Sequence, residues 1–167
     1  MNHVKDNFLH CMRRLATTVC VITCRHEGVP YGITATAVTS LCFEPVAVLV
    51  CINSSSSLLT PLLAQKKYCI NLLNKEHAAI SQRFSTPQPP HERFATGEWR
   101  SNPAGVPYLA DAQAMLFCEL DQSVPYATHH IVIGRVSDCQ YRHEIAPLIY
   151  QNGAYVTSVP LSNAGSD

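Results

Sequence analysis

The sequence predicts a mainly β protein, an antiparallel barrel carrying a few short helices, and three observations support that prediction. At least six segments read as strands. Only two or three short segments read as helices. The two kinds do not follow the regular strand-helix-strand order of a doubly wound sheet, and no internal repeat interrupts the pattern. A chain of 167 residues fits one domain around one core. We therefore expect a single domain over residues 1–160 and a flexible tail over residues 161–167.

Between Val4 and Leu15, the residues Phe8, Cys11, Met12 and Leu15 recur at helical spacing, which predicts a helix with one buried face. Thr17 to Cys24 (TTVCVITC) is β-branched and apolar, and His26 to Pro30 (HEGVP) carries the Gly and Pro of a chain reversal. A second strand follows from Tyr31 to Ser40. After the break at Phe43-Glu44-Pro45 comes the most apolar strand, AVLVCIN. Ser54 to Ser57 stand directly before Leu58, Leu59, Leu62 and Leu63, so a serine there caps a short helix. Lys67 to Leu72 reads as a strand, and Asn74 caps a second short helix within KEHAAISQRF. Ser85 to Pro107 turns to Pro, Gly and polar residues and predicts a long surface excursion with Trp99 as its anchor. Ala114 to Leu120 and His130 to Val136 pair across a polar turn at Asp121 to Ala127. The closing LSNAGSD has too little apolar surface to order itself.

Twelve basic residues balance twelve acidic ones, so no strong field draws in nucleic acid or an anionic membrane. The longest apolar run, Val46 to Ile52, is too short to span a bilayer, and Met1 to Lys5 lacks the apolar core of a signal peptide. We expect a soluble cytoplasmic protein. With 47% hydrophobic and only 14% charged residues, the chain predicts a self-associating protein whose apolar surface is covered by a second copy. Cys20, Cys51, Cys69 and Cys118 sit inside apolar runs and read as reduced, structural residues. No Cys-x-x-Cys pair occurs, and the Cys20–Cys24 spacing falls on a strand, so no metal site is expected.

Chemistry concentrates in three places. Gly32 to Ser40 (GITATAVTS) fills a strand with small residues and hydroxyls, which either admits a flat ring close to the backbone or packs tightly against another element. Asn53 to Ser57 either caps a helix or binds phosphate through hydroxyls and free N–H groups. His129 and His130 are neighbours on a strand, so alternation sends them to opposite faces and only one faces a given site. No Gly-x-Gly-x-x-Gly, P-loop or nucleophile-elbow pattern is present.

The stretches GITATAVTSLCFEP, VLVCINSSSS, YCINLLNKEH and RFS, in that order and within Phe8 to Tyr155, resemble the short-chain flavin reductases. Those are the reductase components of two-component flavin-dependent monooxygenases, and the 4-hydroxyphenylacetate type shares the Thr-His pair found here as Thr128-His129. The resemblance implies the antiparallel Greek-key split β-barrel known as the FMN-binding split barrel, and a homodimer. It implies reduction of FMN or FAD by hydride from NADH or NADPH, with the reduced flavin passed to a partner monooxygenase. It places the flavin ring along Ile33, Thr34, Ala35 and Thr36, and the ribityl chain and phosphate near Ser40 and Leu41. Cys51, Ile52, Asn53, Ser55, Ser56 and Ser57 complete the flavin site, with Arg83 and Phe84 nearby. His129 and the turn containing Tyr150, Gly153 and Tyr155 border the nicotinamide, with His129 the candidate catalytic residue. Departures from the family pattern are Cys42 in place of Ser or Thr, Val46 in place of a second proline, and Ala127 in place of a glycine. Two other readings remain open at this stage: a non-catalytic flavin- or haem-binding split barrel, and a cofactor-free structural subunit.

Overall fold

The computed structural model describes residues 3–161. It begins with helix α1 (His3–Met12) and strands β1 (Thr17–Thr18), β2 (Cys20–His26), β3 (Val29–Ala35), β4 (Val38–Phe43) and β5 (Val46–Asn53). Helix α2 (Leu59–Gln65), strand β6 (Lys67–Leu72) and helices α3 (Ala78–Ser85) and α4 (Pro90–Arg93) follow. The chain then forms β7 (Trp99–Ser101), β8 (Pro107–Leu109), β9 (Ala114–Tyr126), β10 (His129–Tyr141), β11 (Ile149–Gln151) and β12 (Ala154–Val156).

Seven strands make one antiparallel sheet in the order β3-β2-β6-β9-β10-β5-β4, so the mainly β, antiparallel class expected from the sequence is the one observed. β3 and β4 are consecutive in the chain, separated only by Thr36 and Ala37, yet they are the two edges of that sheet. So short a link forces the sheet to curl until its edges approach, which makes a barrel split between β3 and β4. Ala37 holds the junction by accepting a hydrogen bond from the Cys51 N–H at 3.0 Å.

Strand alternation sorts the side chains into two cores. Ile22, Cys24, Val50, Ile52, Tyr68 and Val132 fill the barrel with Leu59 and Leu62 from α2. Val19, Val21, Cys69, Phe84, Leu109, Met115 and Phe117 form a second cluster on the other face of the sheet, under α3 and the β7–β8 ribbon. All eight cysteines are unpaired; Cys20, Cys69 and Cys118 are buried as expected, and Cys51 is half-buried.

Four expectations are corrected. The strand expected over Tyr31–Ser40 breaks at Thr36–Ala37, where it crosses the split. The turn expected at Asp121–Ala127 is strand up to Tyr126, because β9 continues past the end of its β6 pairing as an arm with β10, which at the same level pairs with β5 on its other side. That arm closes at Ala127-Thr128 with Ala127 in the left-handed region, φ 49°. Helix α1 forms but buries nothing in its own chain: Phe8 is 62% and Leu9 51% exposed. The Ser85–Pro107 excursion is partly ordered structure, since it contains α4 and β7, and Trp99 does anchor it, packing 5.2 Å from Phe84 and 4.8 Å from Phe94 between ring centroids. Apart from Leu161 itself, the tail expected from that residue lies outside the described residues.

Candidate active site

β3 is an edge strand, so every second residue directs its backbone N–H and C=O away from β2. Gly32 is one of these outward residues, because its carbonyl accepts from Arg93 Nη1 at 2.6 Å rather than from the ladder. Thr34 shares its parity and therefore also presents backbone polar groups at the edge. A cleft of about 250 Å³ opens here, lined by Val19, Thr34, Ala35, Thr36, Ser81, Ser85, Tyr150 and Tyr155. Five residues singled out from the sequence, Thr34, Ala35, Thr36, Tyr150 and Tyr155, thus meet in one place.

The cleft is held open by a short chain of hydrogen bonds. Thr34 Oγ1 donates to the Ser81 carbonyl at 2.6 Å, and the Ser81 hydroxyl lies 2.8 Å from Tyr155 Oη. The Thr34 proton is therefore committed to α3, and what the side chain offers a ligand is its remaining lone pairs. Tyr155 and Tyr150 are cross-strand partners with ring centroids 5.7 Å apart, edge to face. Their hairpin turns tightly because Asn152 (φ 50°) and Gly153 (φ 81°) both adopt the left-handed region. An adjoining recess of about 320 Å³ shares Thr36 and Tyr150 with the cleft, reaches Gly153, and is roofed by Leu9 and Met12 of α1.

A second group gathers at the end of β5. Asn53 pairs with His129, and Ile52 with His130, across the β5–β10 ladder. His130 therefore shares the barrel-side face of the buried Ile52, with its Nδ1 3.0 Å from Ser123 Oγ. His129 takes the opposite face, exposed, with its Nδ1 2.9 Å from Thr128 Oγ1. Asn53 Oδ1 accepts from both the N–H and the hydroxyl of Ser55, at 2.9 and 2.8 Å, and Ser56 Oγ accepts from the Leu58 N–H at 3.1 Å. α2 itself starts from Leu58 with no side-chain cap, so the serine cap expected there is not made; Ser56 instead closes the turn that precedes the helix. Ser57 Oγ accepts from Arg93 at 3.2 Å. The hydrogen bond between Cys51 and Ala37 ties this group to the Thr36 end of the cleft, but His129 lines neither the cleft nor its recess.

Several expected residues stand apart. Ile33 faces the barrel core opposite Ile22, and the Ile52 side chain is fully buried, so each offers only its backbone to a ligand. Phe84 is 2% exposed and packs beneath Gly32; it supports β3 rather than facing the cleft. Ser40 and Leu41 are exposed at a bulge in β4, and Arg83 donates to the Glu92 carbonyl at 2.9 Å. Ser81 was missed, although its helical spacing from Phe84 marks a hydroxyl on the buried face of α3. Arg93 was missed too, and nothing local in its proline-rich surroundings signals that it is buried. Desolvation lowers the Arg93 pKa and raises those of Cys20, Cys24 and Cys118, the three thiols to about 12.

Known proteins show the same architecture. Residues 12–158 match the family described as "Flavin reductase like domain". The chain is 38% identical to the reductase component of FADH(2)-dependent resorcinol hydroxylase from Rhizobium sp. strain MTP-10005, covering 94% of this chain and 89% of that one. It is 34% identical to the FMN reductase (NADH) RutF of Pseudomonas syringae pv. syringae, covering 89% and 83% respectively. The crystal structure of a flavin reductase domain protein from Arthrobacter sp. FB24 superposes with a TM-score of 0.88 at 28% identity, over 96% of this chain and 99% of that one. The family match over most of the chain, the two relatives above 30% identity and the shared fold agree, and the chain belongs to the flavin reductase family.

Proposed function

We propose that this flavin reductase seats the isoalloxazine ring of FMN or FAD in the cleft between β3, α3 and the β11–β12 hairpin. The observation that carries the reading is the convergence there of Thr34, Ala35 and Thr36, at and just after an edge strand with outward backbone groups, with Tyr150 and Tyr155 of the β11–β12 hairpin. When bound, a flavin supplies the acceptor for a hydride from NADH or NADPH. The chain supplies position. Small side chains at Ala35 and Thr36 let a flat ring approach the backbone, the Thr34 edge offers hydrogen bonds to the ring's polar rim, and the Thr34–Ser81–Tyr155 chain fixes the cleft wall. Ser55, Ser56 and Ser57, with Ser40 and Leu41, attend the ribityl chain and phosphate. The recess beside Tyr150 and Gly153 takes the nicotinamide; His129, which does not line that recess, acts from beside Asn53 at the serine end of the site, orienting the bound dinucleotide or balancing developing charge.

The enzyme acts as one domain over residues 1–160 and as a homodimer. Support comes from α1, whose Val4, Phe8, Leu9 and Met12 are all exposed, and from Leu41, Phe43, Val46, Val124 and Tyr126 along β4, β5 and the β9–β10 arm. Its partner is a monooxygenase component that receives reduced flavin, the arrangement named for the Rhizobium relative. Eight unpaired cysteines suit the reducing cytoplasm, and no helix among the described residues is long and apolar enough to cross a membrane.

NADH and NADPH oxidation, followed with FMN, FAD and riboflavin in parallel, tests the reading. Turnover that depends on added flavin supports it. Flavin binding with no turnover would favour a non-catalytic flavin carrier of the same fold.

A further inference from the structure

Two residues that line the cleft, Thr34 and Tyr155, have their hydroxyls tied to one buried residue of α3, Ser81. Counting protons fixes what each hydroxyl has left to offer. Thr34 gives its only hydroxyl proton to the Ser81 carbonyl at 2.6 Å, so toward the cleft it can accept and cannot donate. The Ser81 side chain is fully buried, and among the described residues Tyr155 Oη at 2.8 Å is the one partner of its hydroxyl. Either oxygen could supply the proton in that contact. If Tyr155 supplied it, the Ser81 proton would be left buried without an acceptor, an arrangement that folded proteins avoid. Ser81 therefore donates, and the half-buried Tyr155 keeps its own proton for whatever enters the cleft.

The cleft thus holds one fixed acceptor and one fixed donor, both oriented by the same residue. Such a couple complements an N–H and a C=O that stand side by side on a planar ring. The polar rim of a flavin has that alternation: C2=O, N3–H, C4=O and then N5, which carries a hydrogen only in the reduced state.

We propose that Ser81 is a positioning residue that sets the polarity of the flavin seat, making Thr34 the acceptor for a ring N–H and Tyr155 the donor to the carbonyl beside it. The proposal rests on the cleft being that seat. Ser81 does this without touching the ring, through its carbonyl toward Thr34 and through its hydroxyl toward Tyr155. Two ring groups share the required chemistry. An acceptor at N3 holds oxidised and reduced flavin alike, whereas an acceptor at N5 favours the reduced form and raises the midpoint potential of the bound flavin.

Titration of the full chain with riboflavin reads the site without turnover. Tyr155→Phe should weaken oxidised riboflavin about two- to tenfold, the loss expected of one neutral hydrogen bond. Ser81→Ala should cost a similar factor alone and less than about twofold in the Tyr155→Phe background, since its hydroxyl acts through Tyr155; a merely structural role would give the same loss in both. One of 2-thioriboflavin and 4-thioriboflavin, whose sulfurs accept weakly, should bind the wild type less well than riboflavin and lose nothing against Tyr155→Phe, which reads the tyrosine as a donor. Thr34→Val assigns the N–H. If it weakens riboflavin but not 3-methylriboflavin, the group is N3; if it leaves oxidised binding intact and lowers the midpoint potential, the group is N5, and Thr34→Ser should restore either effect. The analogue titrations with wild type and Tyr155→Phe keep the test valid if Thr34→Val fails to fold. Ser85→Trp, at the exposed end of α3, fills the cleft and tests the seat itself. Riboflavin binding that survives Ser85→Trp removes the reading of the cleft, and the proposal falls with it. Binding that is lost to Ser85→Trp yet untouched by Tyr155→Phe, or losses from Ser81→Ala and Tyr155→Phe that simply multiply, leave the seat standing and overturn the role of Ser81.

Discussion

Replacing Gly32 by Ala tests whether β3 is held against α3 tightly enough to define the cleft. An alanine Cβ there would lie 2.6 Å from Phe84 Cε1, 2.9 Å from Phe84 Cδ1 and 3.2 Å from Thr23 Cγ2, where ordinary contact is 3.4–4 Å. Relief therefore requires roughly 1 Å of movement, more than a packed core absorbs without strain. Phe84 cannot supply it, because Phe94 at 5.0 Å and Trp99 at 5.2 Å between centroids close its other sides. Thr23 is fixed as well, with its hydroxyl bonded to the Pro107 carbonyl and to Asn71. β3 must move instead, and that strains the Gly32–Arg93 and Thr34–Ser81 hydrogen bonds together. Overpacking of this kind costs about 1–3 kcal/mol, and at roughly 2–4 °C per kcal/mol for a chain of this size the melting temperature should fall by about 2–12 °C. Denaturant unfolding measures the first effect, and riboflavin titration, reporting the ring cleft alone, should show a weakened Kd. Phe84→Leu in the Gly32→Ala background should recover part of the stability, giving a favourable coupling energy in the double-mutant cycle. A Gly32→Ala protein with wild-type stability and wild-type riboflavin affinity would refute the packing argument.

Three further outcomes are expected. His129→Ala should slow flavin reduction or raise the KM for NAD(P)H while leaving oxidised flavin binding within about threefold, as stopped-flow reduction and flavin titration will show; His130→Ala, on the barrel side, is the control. Burial raises Cys20, Cys24 and Cys118 from 9.0 to about 12, so the folded chain keeps protons that the unfolded chain releases above pH 9; stability should be intact below that pH and decline as pH rises through 9 to 12, measured by chemical unfolding across the range. Phe8→Ser with Leu9→Ser should shift the protein from dimer toward monomer in light scattering at micromolar concentration, and a wild-type monomer with full activity would remove the dimer from the account.

The parts of the molecule legible in the sequence are those decided by local chemistry. The apolar run AVLVCIN is β5, and Asn74 accepts from the Glu76 N–H at 2.9 Å as a cap. Distant contacts decide the rest. Nothing local distinguishes Asp121 to Tyr126 as strand, since these residues gain regular structure only by pairing with His129 to Ile133. Helical spacing predicts a buried face for α1, yet spacing does not say what covers it, and within its own chain nothing does. Arg93 sits four residues after Pro89 in a run that reads as surface loop, and only the folding of that loop onto β3 buries it.

The small-residue stretch from Gly32 to Ser40 shows how packing and function divide one segment. Gly32 is small because Phe84 occupies the space a Cβ would take, which is a packing requirement and says nothing about a ligand. Thr36 and Ala37 carry the chain from one edge of the sheet to the other, and Ala37 is fixed by its bond to Cys51, so the size of Ala37 is accounted for by the crossing while Thr36 also lines the cleft. Val38 packs into the barrel core, and Ser40 lies exposed beside a bulge in β4. Ile33 and Ala35 also pack against the barrel core and the Thr34 hydroxyl is held by α3, so what packing leaves is the outward backbone edge at Thr34. At a sheet edge, protein stability alone favours a covered strand or one blunted by charge, not small side chains beside open backbone groups. That open edge, beside the cleft walled by Ser81 and the two tyrosines, is the part of the strand that folding does not require, and it is the feature on which the proposed seat of a flat ring with a polar rim rests.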